Sequence, residues 1–577
     1  MEENEEKPEI VVGIDFGSSG TGYAYSFNDP EKIILGNIQD HGSDIKVPTE
    51  IILDQNLDVL AFGDKCVEYI KENQLNKGEL YFQRIKMSLY SNKATIKPQN
   101  KAGEYQLVDI ISKLLEYVKN DAIKKIKGHR NEIDQNKIKW VVTVPAIWSE
   151  NQKGIMIKAS EKAGLFNKFT DRSSFFALEP EAASLYCSQD NALDPNYIQS
   201  GKTYTICDLG GGTGDIVTHT KNKEGKIAEK YHAVGGNFGS DEIDKEIFNL
   251  IINKIFGFKD YNSLKIKNEN NGFPWENDEL YNEWLNLQDE IQKRKKINEK
   301  SKDKITHINF QLFQKFTDYI PIEELVDEYN SKCHNGWNIT IKNPSKWILS
   351  IPNKIFYDLI IRQANKVVEQ INEINAKIPN IESILYVGGY CSNEIIFNYI
   401  KNKFPNMVHL KPSNPELAVV KGAVLFGIDP NIITERKAKY TIGFGTNSIW
   451  KEEIHSNGGE KYFDEIDKVY RCKNCFDLFI EIGQTLKIND KITHYFHMLE
   501  PRYCNLRFFK SYKKNPIFVN EEGVELIGRD VLDLKKDYPL NERDLVVEMK
   551  FGGTFVEAEC IHKKSGIKIK LNLYFDK

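Results

Sequence analysis

The chain has 577 residues, 40% hydrophobic and 28% charged, the balance of an ordinary globular protein. Its length suggests about four domain-sized units. A net charge of −5 argues against a nucleic-acid surface, and no apolar run reaches the length of a membrane span. The acidic start, Met1 to Pro8, lacks the basic and apolar regions of a signal peptide and reads as a frayed tail. Nine cysteines, several inside apolar runs such as those of Cys187 and Cys207, suit a reducing compartment, with cytoplasm as the expectation.

Taken in chain order, residues 9 to 62 read as strands and turns, with strands at Ile10–Ile14, Tyr23–Phe27, Lys32–Leu35 and Glu50–Leu53. Helical patterns follow at about Asp64–Leu89 and Leu107–Lys127, then a buried strand, Ile138–Val144, stopped by Pro145. Glu150–Ala163 reads as a helix ended by Gly164, and Glu179-Pro180-Glu181 opens another. Asp241–Ile255 is amphipathic. Residues 257–345 are the least regular, with Asn, Lys and Gly clustered at 262–272 and a charged helix at Leu280–Lys296. Ile351–Lys377 reads as helix, Ser383–Val387 as strand, and Glu416–Phe426 as a last apolar helix. From Tyr440 the segments are short, β-branched and aromatic, separated by glycine turns. The boundary falls at 431–439, where Arg436-Lys437-Ala438-Lys439 reads as a basic connector. Cys472-Lys-Asn-Cys475 is the one closely spaced cysteine pair; with no second pair, and with His494 and His497 at a non-standard spacing, buried thiols are the preferred reading over a metal site.

One feature occurs twice. An apolar strand ends in a carboxylate and turns through glycines and hydroxyls into a second strand. The copies are Ile10 to Gly22, with Asp15, Gly17, Ser18, Ser19 and Gly20, and Thr205 to Asp215, with Asp208, Gly210, Gly211, Gly212, Thr213 and Gly214. Glycine lets bare backbone N–H groups approach phosphate oxygens. Two such turns facing each other can grip a polyphosphate, with Asp15 and Asp208 holding hydrated magnesium between them. Neither copy has the lysine or the following helix of a P-loop. A single copy equally suits a tight hairpin; the repeat points to two similar halves of a duplicated α/β fold.

Six pieces in order resemble the ATPase domain of the heat shock protein 70 family: Gly13 to Ser19, Val142 to Ala146, Glu179 to Ala183, Asp208 to Asp215, Val234 to Asp241 and Tyr386 to Gly389. Phe16, the run Gly22 to Phe27, Trp148 and the run Ala418 to Gly427 resemble the divergent branch called heat shock 70 family member 12. The resemblance implies a duplicated actin-like, ribonuclease-H-like, two-lobed ATPase domain, with lobes at 9–200 and 201–430, followed by a smaller β-rich domain at 440–577. It implies ATP or ADP with magnesium, and potassium as a further candidate ion. Asp15 and Asp208 would hold the metal through water. Gly17, Ser18, Ser19, Gly210, Gly211, Gly212 and Thr213 would contact phosphates, with Gly235, Gly236 and Gly239 in the adjoining clamp. Glu179 and Asp215 would orient ions and the attacking water, and Lys86, with Arg84 as rival, would stabilise the leaving phosphoryl charge. Glu290, Lys293 and Arg294 would line the adenine and ribose side, although they equally suit a solvated helix face, and Gly388 and Gly389 would border adenosine.

After Gly389 the family's adenine-packing serine and arginine are replaced by Tyr390 and Ser392, and the acidic, leucine-rich linker by Ile428 to Lys439. The expected function is a slow ATP-dependent switch with protein clients or co-regulators and without nucleic-acid or membrane partners. A nucleotide-holding scaffold with negligible turnover is the alternative, and a phosphotransferase of the same fold a third reading.

Overall fold

The two aspartate-terminated runs become central strands of two separate sheets. The computed structural model describes residues 7–38, 45–73, 75–76, 78–100, 103–130, 132–167, 170, 175–257, 279–317, 320–488 and 490–571. Most of the acidic tail and the whole 262–272 cluster lie outside these residues. In the first sheet Ile10–Phe16 runs parallel to Ile138–Val144, which runs parallel to Phe176–Leu178, and antiparallel to Gly20–Ser26, which pairs onward with Ile34–Gly36 and Val47–Pro48. In the second, Thr203–Leu209 runs parallel to Ser383–Val387, then Val408–Leu410, and antiparallel to Gly214–Lys221, then Ile227–Gly236. The order of pairing is the same in both sheets. The two central strands are almost wholly buried, as strands covered on both faces must be.

Helices Glu179–Cys187 and Ala418–Ile428 cross between the sheets. Their approach is so close that a Cβ on Gly422 would lie 1.7 Å from the Ala182 carbonyl oxygen. One apolar cluster here joins Val11 and Val141 of the first sheet to Ile227 of the second through Ala182, Val420 and Val424. This clustering holds the two glycine turns in a fixed relation.

Several expected elements differ. The helix expected at 64–89 is Lys65–Asn73, a strand Leu80–Phe82, and a short helix Ile85–Tyr90. Three consecutive buried residues, Leu80, Tyr81 and Phe82, have no helical period; they pair with Ile51–Leu53. The Asp241–Ile255 helix changes to π-helical pitch after Phe248. Helix Asn353–Lys377 starts only after strand Ile348–Pro352, because Pro352 holds the preceding Ile351 in extended backbone and itself stands just outside the helix. The described part of 257–345 is more regular than its composition suggests: Ile305–Asn309, Ile348–Pro352 and Thr340–Asn343 form a sheet beside helices Glu279–Arg294 and Ile322–Lys332.

The basic connector is a strand. Ile433–Lys437 pairs with Ile227–Gly236 and then with Thr485–Lys487, extending the second sheet. Beyond it, a five-stranded and a four-stranded antiparallel sheet pack around Ile442, Phe444, Leu506, Phe508, Val547 and Met549. The loop between strands Asp544–Lys550 and Glu557–His562 reaches back to the first half. Phe555 joins the core of the first sheet, its ring 5.0 Å from that of Phe176, and the Thr554 carbonyl accepts from Lys153 Nζ at 2.7 Å.

Candidate functional site

The glycine turns meet face to face. A Cβ on Gly211 would fall 1.6 Å from Ser19 Oγ, and one on Gly212 would fall 2.7 Å from Ser18 Oγ. Only side-chain-free backbone lets the turns approach this closely. The second turn is closed by a Gly210 N–H bond to the Thr213 carbonyl at 3.0 Å. The cleft between them is lined by Asp15, Gly17, Ser18, Ser19, Gly20, Lys46, Lys86, Glu179, Asp208, Gly210, Gly211, Gly212, Thr213, Gly388, Gly389, Glu416 and Val419. Most of the expected residues are therefore together.

The strand ends place the charges. Asp15 Oδ1 accepts from the Thr143 hydroxyl at 2.9 Å, and Oδ2 pairs with Lys46 Nζ at 2.5 Å. Lys86 Nζ pairs with Glu179 Oε1 at 2.5 Å, both side chains buried. Lys86 lines the cleft; its rival Arg84, in left-handed conformation with φ 53°, does not. Asp215 faces Asp208 in register, and its Oδ1 accepts the Ile147 N–H at 3.0 Å. Asp208 Oδ2 is buried and has no hydrogen-bond partner among the described residues.

Burial of so many carboxylates sets their proton affinities. Burial, then the neighbouring Glu179, Asp215 and Asp15, push Asp208 well above the carboxylate range. Burial raises Glu179 to about 7 against the pull of Lys86, and Asp215 to about 6 against its bond from Ile147. For Asp15 burial also opposes ionisation, but Lys46 and Lys86 outweigh it and hold the group below its usual value. Crowded acids and an orphaned buried oxygen on Asp208 fit a cation at this place.

Gly235, Gly236 and Gly239 do not line the cleft; they pack behind the second turn. A Cβ on Gly239 would meet the Gly211 carbonyl oxygen at 2.2 Å, and the Asp241 N–H donates to that oxygen at 2.8 Å. Glu290, Lys293 and Arg294 are also outside the lining, and Glu290 pairs with Arg294 along its own helix at 3.1 Å. The next residue, Lys295, reaches Asp244 at 2.7 Å. Tyr390 is buried with its hydroxyl unpartnered among the described residues.

Sequence reasoning missed Lys46 and Glu416. Lys46 is one of 78 Lys and Arg residues and sits in no glycine motif. The pairing of Val47 with Thr21 and of Pro48 with Gly20 carries it to the first turn. It missed Arg436 too: read as connector charge, it is buried, donates to both Glu181 oxygens at 2.6 and 2.7 Å, and reaches the Gly552 carbonyl at 2.5 Å.

The cysteine pair gains an unexpected neighbour. His455, rather than His494 or His497, lies with Cys472 and Cys475, all three possible ligand atoms within 4.8 Å. Yet His455 Nδ1 accepts the Lys451 N–H at 2.9 Å. The ring proton is then on Nε2, which faces Cys475 Sγ at 3.9 Å, an imidazole beside thiols rather than a free ligand nitrogen.

No protein-family model matches the chain. Human heat shock 70 kDa protein 12A is 25% identical across 98% of this chain and 91% of its own length, and human heat shock 70 kDa protein 12B is 21% identical over the same shares. A chaperone protein HscA homolog of Rickettsia typhi is 28% identical over 44% of this chain and 39% of its own length. The mixed α/β architecture fits an actin-like ATPase fold. Along nearly its whole length the chain is a homologue of the heat shock 70 kDa proteins 12A and 12B.

Proposed function

We propose that the chain is a nucleotide-binding protein of the heat shock 70 kind, with two actin-like lobes closing on ATP or ADP and slow, magnesium-dependent hydrolysis. The observation that carries this reading is the face-to-face pair of glycine turns above three buried carboxylates and two lysines, with Asp215 buried beside Asp208 but outside the cleft lining. Backbone N–H groups of both turns, with Ser18, Ser19 and Thr213, would hold the phosphates. Asp208 would hold magnesium through water, with Glu179 and Asp215 orienting that water shell; the metal supplies charge neutralisation. Lys86, steered by Glu179, would face the transferred phosphoryl group. Gly388 and Gly389 would border adenosine. The β-rich part from residue 440, docked through Arg436 and Phe555, would report the state of the cleft to protein clients or co-regulators in the cytoplasm.

Calorimetric titration of ADP with magnesium tests the reading. Wild type is expected to bind, and Asp208→Asn, which takes away the proposed magnesium holder, to lose about tenfold or more in magnesium-dependent single-turnover rate. Glu179→Gln should lower the single-turnover rate more than it weakens binding. A wild type that binds no nucleotide at millimolar concentration overturns the reading.

A further inference from the structure

Lys46 has a place in the cleft that neither the glycine motifs nor the comparisons assign. Its backbone is fixed beside the first turn, because Val47 pairs with Thr21 and Pro48 with Gly20. A Cβ on Gly22 would meet Lys46 Cγ at 2.9 Å, so the lysine stem lies flat over this glycine. The ammonium pairs with Asp15 Oδ2 at 2.5 Å, while the Thr143 hydroxyl takes the other oxygen. Both oxygens of one proposed metal-holding carboxylate are therefore in use, whereas Asp208 Oδ2 is not.

The two lysines of the cleft differ. Lys86 is committed to Glu179 with a side chain 4% exposed, whereas that of Lys46 is 24% exposed and shares the cleft with Ser18, Ser19, Gly211 and Gly212. An ammonium has three donors. With one on Asp15, others remain for an oxygen of a phosphate held between the turns. Asp15 keeps the charge localised there and limits the rotamers lost when the anion arrives.

We propose that Lys46 is a resident phosphate-binding cation, so that a nucleoside diphosphate binds this cleft with little dependence on divalent metal. The inference rests on the nucleotide-binding reading above. It assigns Lys46 charge neutralisation that would otherwise need magnesium at Asp15. Magnesium added without nucleotide has to displace an ion pair at Asp15 before using it.

Calorimetry of the full chain with ADP, in excess magnesium and in EDTA, tests this. The wild-type Kd in EDTA is expected within about threefold of its magnesium value. Lys46→Met, which keeps the apolar stem, should lose about tenfold or more in EDTA and less in magnesium, and Lys46→Arg should keep metal-free binding. Thermal melts without nucleotide report whether each variant is folded, and the wild-type comparison decides the point without any variant. Wild-type binding with magnesium that falls more than about tenfold in EDTA overturns the inference and leaves nucleotide binding standing. A folded Lys46→Met that matches wild type in EDTA also overturns it. Absence of wild-type binding in both buffers refutes the underlying reading.

Discussion

Glu229 shows how one buried acid records pH in this fold. It accepts the Lys437 N–H at 3.0 Å and lies near Glu181 and Arg436; burial is the main cause that raises it to about 7. A carboxyl whose folded pKa exceeds its unfolded one binds protons better in the native state. Its contribution is complete below the unfolded value near 4.5 and is lost as pH rises through about 7. Glu229→Gln keeps the acceptor and removes the titration. Its unfolding free energy should fall less than that of wild type between pH 5 and 8, by up to roughly 3 kcal/mol, read by chemical denaturation at both pH values. An equal slope in both proteins would remove Glu229 as the cause. At this scale the sequence was readable where chemistry dictates local pattern: Asp15 and Asp208 announce themselves by ending apolar runs ahead of glycines. Lys46, Glu416 and Arg436 carry no such mark: strand pairing carries Lys46 to Asp15, the fold brings Glu416 into the cleft lining, and Arg436 meets Glu181 from 255 residues away.

Among the elements, the crossing of helices Glu179–Cys187 and Ala418–Ile428 is a tight constraint. No side chain at residue 422 fits without moving the Ala182 backbone. Gly422→Leu should therefore destabilise by at least the ~1–3 kcal/mol of overpacking and lower Tm by several degrees, despite leucine's better helix propensity. A melting curve unchanged from wild type would contradict the packing. The same scale shows where periodicity is informative. Long helices such as Leu107–His129 and the almost wholly buried central strands follow their patterns closely. Leu80–Phe82 and Ile433–Lys437 do not, because a short strand is specified by the strands it pairs with, and those are distant in sequence.

Across the whole molecule, the β-rich part is joined to the cleft between the glycine turns by buried polar contacts. Lys439 donates to the Ile147 carbonyl, and the Ile147 N–H holds Asp215. Arg436 ties Glu181, on the helix that begins with Glu179, to the Gly552 carbonyl. Arg436→Met would leave Glu181 buried without its partner, at a cost of about 3–5 kcal/mol. Calorimetry should show a lower Tm, and hydrogen exchange should show protection lost at 433–437 and 551–555 before the central strands; protection lost uniformly would argue that Arg436 is no link. The broad architecture was legible because the repeated turn implies repeated sheets. The return of residues 551–555 to the first half was not, because a Gly-Gly-Thr-Phe loop has the composition of any turn.

That return has a practical and an evolutionary edge. Phe555 fills a place in the core of the first sheet, so residue 440 is a boundary in composition but not a line along which the chain can be cut. A piece ending there would carry an open apolar socket over Phe176, with Lys153 left to Glu150 alone, and would tend to associate through it. A change of size at Phe176 is therefore expected to unsettle Phe555 as well, so that the two halves cannot be altered independently at this place.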